Sequence, residues 1–172
     1  MPGIHKKLII PATELCHNGV LRSSHQTWST GIMIAPERDA LEGETMTDAE
    51  NNKQTVIDYY NMAFNDRKPA EAGQMYGGPH YIQHNPQAPD GFEAFVEFVE
   101  GFVEQFPQMS LEIKRAVAED DMVVTHSLLK TSPEDRGTAA ADFFRLEDGK
   151  VVEHWDVLQP VPESAANDHP MF

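Results

Sequence analysis

Two polar residues interrupt an apolar segment near the C-terminus, where the chain reads Val151-Val152-Glu153-His154-Trp155-Asp156-Val157-Leu158. Side chains alternate between the two faces of a strand, so His154 and Asp156 point the same way. A carboxylate and an imidazole on one buried face can exchange protons with a bound molecule, because burial disfavours the charged form of a carboxylate. The pair therefore predicts general acid/base chemistry inside a pocket.

A β-meander is predicted to position this pair. Asp148-Gly149 is a strong signal for a two-residue hairpin, and the β-branched and aromatic composition that follows predicts a strand over 149–160. The period of two also predicts strands over 109–119, 122–131 and 138–147. Their connections are short, so the four strands are expected to pair antiparallel in chain order.

Helical patterns precede the meander. The spacing predicts helices over 48–66 and 69–76, a short strand over 80–85, and a third helix that is capped by Asp90 and stops at Pro107. The element order is therefore ααβαββββ, with three helices covering one face of a strongly bent antiparallel sheet. The apolar stripe from Phe92 to Phe106 is expected to be core, and Arg145 is expected to pair at the surface with Asp142 or Glu147.

Composition excludes several classes of protein. The 172 residues carry 28 acidic and 13 basic side chains, a net charge of −15, so neither nucleic acid nor an anionic membrane is expected as a partner. No apolar run approaches the roughly 20 residues that a membrane helix needs. The single cysteine, Cys16, excludes both an intramolecular disulfide and a cysteine-based zinc site, and it agrees with a cytoplasmic location.

The chain divides into an N-terminal extension over 1–46, irregular or peripheral, a domain over 47–162 and a tail over 163–172. The domain begins at a capping box, Thr47-Asp48-Ala49-Glu50, directly after Met46. One hypothesis is that translation naturally starts at Met46. The alternative is that the extension is an arm that packs on a partner.

Three motifs carry a resemblance to a known family: Tyr81-Ile82-Gln83-His84-Asn85-Pro86, then 142–150 (DFFRLEDGK), then 153–160 (EHWDVLQP). In order and spacing they resemble the SnoaL-like polyketide cyclases of the nuclear transport factor 2-like superfamily. The resemblance covers about 47–162. It implies a cone-shaped α+β barrel, a mostly apolar pocket at its open end, and a homodimer.

The resemblance also implies roles for individual residues. Asp156 matches the acid/base aspartate of the characterised cyclases, and His154 matches a histidine two positions before that aspartate. His126 occupies a comparable position on its strand. These three are the expected catalytic residues. Gln83 and Asn85 fall where these enzymes place the polar groups that hold the substrate's oxygen. The expected substrate-binding set is Gln83, Asn85, His84, Tyr81, Phe144 and Trp155.

The function expected from these residues is a cofactor-independent acid/base enzyme, an intramolecular aldol cyclase or isomerase, acting on a small apolar carbonyl compound. The main alternative is a non-catalytic module of the same fold, either one that binds a small ligand or a dimeric accessory module. Structural roles also stay open: Asp156 and His154 as satisfied core groups, His126 as a cross-strand partner, and 84–86 as a turn. A metal site built from His84, His126, His154 and Asp156 is chemically permitted, but no spacing resembles a dedicated metal motif, and no metal is expected.

Overall fold

The helices of the described region lie where the sequence pattern predicts them. The computed structural model describes residues 48–172, so Thr47 of the capping box and the whole N-terminal extension lie outside the described residues. Helix α1 (Asp48–Tyr60) runs on as one π-helical segment (Asn61–Asn65), and helix α2 spans Pro69–Tyr76. The predicted 48–66 helix is thus confirmed in extent, with a widened last turn that the periodicity did not predict.

The strands confirm the predicted element order with one correction to the sheet. The elements that follow α2 are β1 (Gly77–Gln83), α3 (Phe92–Gln105), β2 (Ser110–Glu119), β3 (Met122–Lys130), β4 (Thr138–Glu147) and β5 (Lys150–Pro160). Strands β2 to β5 form the predicted antiparallel meander, but β1 pairs with β5 in parallel, so the sheet is mixed. The strand order is β1-β5-β4-β3-β2, and the two outer strands do not pair with each other. The cone is therefore open rather than a closed barrel.

Two local features set the direction of side chains on β5. The hairpin before it turns through Asp148 and Gly149, both in the left-handed region with φ of 49° and 71°, as the Asp-Gly signal predicts. A bulge follows, because Arg145 pairs with Glu153 while the next residue, Leu146, pairs with Val151. Val152 is the extra residue, and alternation from Glu153 onward is regular.

Two predicted boundaries are wrong at the entry to the site. Strand β1 begins at Gly77, not at residue 80, because Gly77 continues from α2 in an extended conformation. A Cβ there would lie 2.4 Å from the carbonyl oxygen of Gly73, so only glycine fits. Helix α3 begins at Phe92 after Gly91, and Asp90 makes no cap. The Asp90 carboxylate instead accepts a 2.7 Å hydrogen bond from the Gln83 backbone N–H.

The helices cover the inner face of the sheet. The buried core joins α1 residues such as Val56 and Tyr59 to inner residues of the central strands such as Val123, Phe144 and Leu146. The predicted apolar stripe of α3 belongs to this core, with Phe95 and Val99 buried. None of the helices between residues 48 and 172 has the length and apolar character needed to cross a membrane.

Candidate active site

A pocket opens between the inner face of the sheet and the helices. Its volume is about 750 Å³, counting the space at the open mouth. Aromatic rings from α1, the π-helical segment, β1 and α3 form much of its wall: Tyr60, Phe64, Tyr81, Phe95, Phe98 and Phe102. Among the described residues, no Lys or Arg lines it. The pocket therefore suits an apolar molecule, and any polar group of that molecule must meet the few polar side chains described next.

Two hydrogen-bonded pairs cross from the end of β1 to β5 inside the pocket. His154 Nδ1 lies 2.9 Å from Gln83 Oε1, and Asn85 Nδ2 donates to Asp156 Oδ2 at 2.6 Å. The segments run in parallel, with Gln83 opposite His154, so alternate residues of each segment meet on the inner face. The structure thus brings together four of the predicted site residues.

The residues between these pairs meet on the opposite face of the sheet. The rings of His84 and Trp155 stack with centroids 4.6 Å apart and planes 5° from parallel. Glu153 accepts from Arg145 Nε at 2.7 Å, and its other oxygen lies 2.9 Å from His84 Nε2. His84 and Trp155, predicted to bind substrate, therefore lie behind the site and hold the two segments together.

Asp142 is a site residue that the sequence analysis missed. Of the two expected surface partners of Arg145, Glu147 is confirmed at 2.8 Å and Asp142 is wrong. Asp142 is only 4% exposed and lies on the inner face, whereas Arg145 faces outward to Glu147 and Glu153. Asp142 Oδ1 accepts from the Tyr60 hydroxyl at 2.9 Å.

The same Oδ1 atom of Asp142 lies 3.2 Å from His154 Nε2, and Nε2 lies 3.1 Å from the Tyr60 hydroxyl. We call Tyr60, Asp142 and His154 the proton triangle. Its hydroxyl stays protonated, because burial first and the Asp142 charge second raise the pKa of Tyr60 well above its ordinary value.

The remaining predicted residues divide between the two faces. Tyr81 lines the pocket, and burial raises its pKa above the ordinary value. Phe144 is fully buried behind the pocket, with its ring 4.9 Å from Tyr60 and 5.0 Å from His154. His126 does not join the site. It lies on the outer face, where Arg115 contacts its Nδ1 at 3.1 Å and Phe172 stacks on its ring.

The residues that could hold a metal differ between the sequence-based expectation and the structure. His84 and His126 face away from the pocket, whereas Asp142, His154 and Asp156 place one donor atom each within 4.8 Å of one another. Each of these three side chains already has a protein partner: Tyr60 on Asp142, Gln83 on His154 and Asn85 on Asp156. The cluster is therefore joined to its surroundings by hydrogen bonds to pocket residues.

Comparison with known proteins places this geometry in a family. A family model described as the SnoaL-like domain matches residues 56–154, more than half of the chain. The chain belongs to the SnoaL-like domain family. The matched region ends at His154, so it includes the proton triangle and the Gln83 and Asn85 segment of the site. No curated protein matches the chain.

Solved structures share the fold of this SnoaL-like domain. TsrD from Streptomyces laurentii is 21% identical, with a TM-score of 0.55, over 66% of this chain and 91% of that one. A candidate SnoaL-like polyketide cyclase from Jannaschia sp. CCS1 is 20% identical, with a TM-score of 0.55, over 67% and 91%. A candidate ketosteroid isomerase from Kribbella flavida DSM 17836 is 18% identical, with a TM-score of 0.57, over 72% and 88%. At these identities the likeness supports the fold alone.

Proposed function

We propose that this SnoaL-like protein is a cofactor-independent acid/base enzyme of the aldol cyclase or isomerase type, acting on a small apolar carbonyl compound. The observation that carries the proposal is the state of Asp156. Its Oδ2 is held by Asn85 at 2.6 Å, while Oδ1 has no hydrogen-bond partner among the described residues and belongs to a pocket-lining side chain. A fixed carboxylate with one free oxygen in an apolar pocket is suited to removing a proton from carbon.

The chemistry needs only a base and an enolisable carbonyl compound. Asp156 Oδ1 takes a proton from the carbon beside a carbonyl, and the electrons of that C–H bond form an enolate. In an isomerase the proton returns at another carbon, and in a cyclase the enolate carbon attacks a second carbonyl. The names of the structural neighbours, polyketide cyclase and ketosteroid isomerase, agree with these two outcomes.

A deuterium-exchange experiment tests the proposal. The probe is 1-phenylheptane-1,6-dione, an uncharged aromatic diketone whose enolate can close a five-membered ring. In D₂O the wild-type protein is expected to accelerate exchange at the carbon beside the phenyl ketone, and Asp156→Asn is expected to lose roughly 10²–10⁴ of that acceleration. Nuclear magnetic resonance follows both exchange and ring closure.

A surface variant and a binding measurement complete the test. Glu147→Gln removes an exposed carboxylate outside the pocket and is expected to leave exchange unchanged. If the wild-type protein binds the probe without exchanging it, and Asp156→Asn binds it equally well, the acid/base proposal is overturned in favour of a ligand-binding module.

We also propose that the protein forms a homodimer, as its resemblance to the family implies. The outer face of the sheet supports this, because it exposes apolar side chains, among them Val117 (64%) and Val157 (65%). Light scattering of the purified protein tests it directly, and a monomer at micromolar concentration would contradict it.

A further inference from the structure

The proton triangle contains three close polar contacts, but its hydroxyl group has only one hydrogen to donate. The three atoms involved are Tyr60 Oη, Asp142 Oδ1 and His154 Nε2, and they lie 2.9, 3.1 and 3.2 Å from one another. All three residues are at most 5% exposed. The hydroxyl supplies one proton, which it donates to Asp142, so the two contacts made by Nε2 need another explanation.

The second ring nitrogen of His154 determines what Nε2 can be. Gln83 Oε1 accepts a 2.9 Å hydrogen bond from the Asn85 backbone N–H, which fixes that atom as the carbonyl oxygen of the side-chain amide. The same oxygen lies 2.9 Å from His154 Nδ1. An oxygen cannot donate, so Nδ1 carries the hydrogen of this bond. A neutral His154 would then have a bare lone pair at Nε2.

A bare Nε2 does not fit its surroundings. Its lone pair would face two oxygens at 3.1 and 3.2 Å while the Tyr60 hydrogen points to Asp142. Within residues 48–172, no Lys or Arg lines the pocket to offset the charges of Asp142 and Asp156, whose donor atoms lie within 4.8 Å of each other. One additional proton between Nε2 and Oδ1 gives that contact a donor and an acceptor, and it reduces the repulsion between the carboxylates.

We propose that Asp142 and His154 hold a transferable proton, which Nε2 delivers to the oxygen of the carbonyl that the enolate attacks. His154 is then the catalytic acid, and Asp142 and Tyr60 are positioning residues. This inference rests on the proposed function and assigns its two proton transfers to different carboxylates. Asp156 is the base, and Asp142 is the partner of the acid.

The steps balance without a cofactor. Asp156 Oδ1 gains the proton lost from carbon, the enolate carbon forms the new C–C bond, and the electrons of the attacked C=O move to its oxygen. That oxygen takes the proton from Nε2. Asp156 then holds one proton more and the pair one fewer, and transfer across the 4.8 Å cluster, directly or through a bound solvent molecule, restores both.

The first test needs no substrate. In ¹⁵N- and ¹³C-labelled wild-type protein at pH 7, we expect either a hydrogen on both ring nitrogens of His154 or a protonated Asp142 carboxyl group. Asp142→Asn can donate its amide N–H to Nε2, so we expect His154 in that variant to carry hydrogen at Nδ1 alone. A bare Nε2 together with an ionised Asp142 in the wild-type protein overturns the inference, even if the variant does not fold.

The second test separates base from acid with the same diketone. Asp142→Asn is expected to keep α-deuterium exchange within about threefold of wild type and to lose about 10²-fold or more in ring closure, the range for general acid catalysis. Asp156→Asn is expected to lose both. Equal loss of exchange and closure in Asp142→Asn overturns the inference, whereas absence of exchange in the wild-type protein overturns the proposed function.

Tyr59→Phe is the matched control for the hydroxyl of the triangle, because Tyr59 is also buried and lies outside the pocket lining. We expect it to match wild type in exchange and closure. Tyr60→Phe is expected to slow closure more than exchange, and an equal effect of the two phenylalanine variants counts against the inference.

Discussion

Two adjacent tyrosines provide a matched test of what the buried hydroxyl of the triangle contributes to stability. Tyr59 and Tyr60 end helix α1 and are 0% and 5% exposed. The Tyr60 hydroxyl bonds Asp142 and contacts His154, whereas the Tyr59 hydroxyl has no hydrogen-bond partner within the described residues. Replacing either residue by phenylalanine keeps the ring and removes only the oxygen.

The expected changes in the free energy of unfolding differ between the two variants. Removing the Tyr60 hydroxyl breaks a hydrogen bond to the buried Asp142–His154 pair and leaves the pair buried, which costs about 1.5–3 kcal/mol. Removing the Tyr59 hydroxyl relieves an unsatisfied buried group, so its effect should lie within about 1 kcal/mol of zero or be stabilising. Tyr81 contributes to raising the pKa of Tyr59, behind burial, but the two hydroxyls do not meet hydrogen-bond geometry.

Thermal and denaturant unfolding measure the difference. For the roughly 125 described residues, an unfolding entropy of about 2.1 cal/mol/K per residue converts 1.5–3 kcal/mol into a fall in Tm of about 6–11 °C for Tyr60→Phe. Tyr59→Phe should shift Tm by less than about 4 °C. Equal losses for the two variants would refute the reasoning, because they would show that ring packing rather than the triangle determines the stability.

Three further predictions follow from other parts of the molecule. Hydrogen bonds, first from His84 and then from Arg145, lower the pKa of Glu153 below its ordinary 4.5. The contribution of Glu153 to stability is therefore complete above about pH 4.5 and is lost as pH falls through the lowered value. Glu153→Gln should flatten this part of the plot of Tm against pH. Backbone N–H groups of the loop before β4 lower the pKa of Asp135 from 3.8 to about 2; Asp135→Asn should lower Tm at pH 7 by a few degrees and much less at pH 2. Val157→Asp should shift light scattering towards the monomer if the exposed outer face forms the dimer.

Each of these predictions has a result that would contradict it. If Tm falls with decreasing pH below about 4.5 as steeply in Glu153→Gln as in the wild-type protein, the contacts of Glu153 with His84 and Arg145 do not contribute to stability. A Tm loss in Asp135→Asn that is equally large at pH 2 would show that the charge is not responsible. A Val157→Asp protein with wild-type mass in solution would remove this part of the face from the interface, and an outward polar position such as Glu112→Gln serves as its control.

The fold could be predicted in detail because its signals are local. Periodicity and the Asp-Gly turn act within a few residues, and the helix and meander predictions agree with the structure to within a few positions. The parallel pairing of β1 with β5 was missed because it joins segments about 70 residues apart, and no local pattern encodes it. The break in alternation at Val152 was missed for a related reason, since a bulge depends on the partner strand.

The site was less predictable, and Asp142 shows why. Its strand was predicted correctly, and alternation alone places Asp142 on the face of Phe144 and opposite to Arg145 three positions away. That signal argued against the surface pairing and could have identified a buried carboxylate. The role of Tyr60 could not be found in the same way, because its helical spacing predicts burial but gives no information about the partner of its hydroxyl.

The register between two short segments determines which polar residues form the site. Residues 83–85 lie beside 154–156, so Gln83 and Asn85 meet His154 and Asp156 inside while His84 meets Trp155 outside. Side chains alternate with a period of two, so a slip of one residue would place His84 in the pocket and remove both amides from it. Composition and motif are identical in the two registers, which is why Gln83, His84, Asn85 and Trp155 were all expected to bind substrate. The stack of His84 on Trp155 and the contact of His84 with Glu153 favour one register. The outer face of the sheet thereby determines which side chains lie on the inner one.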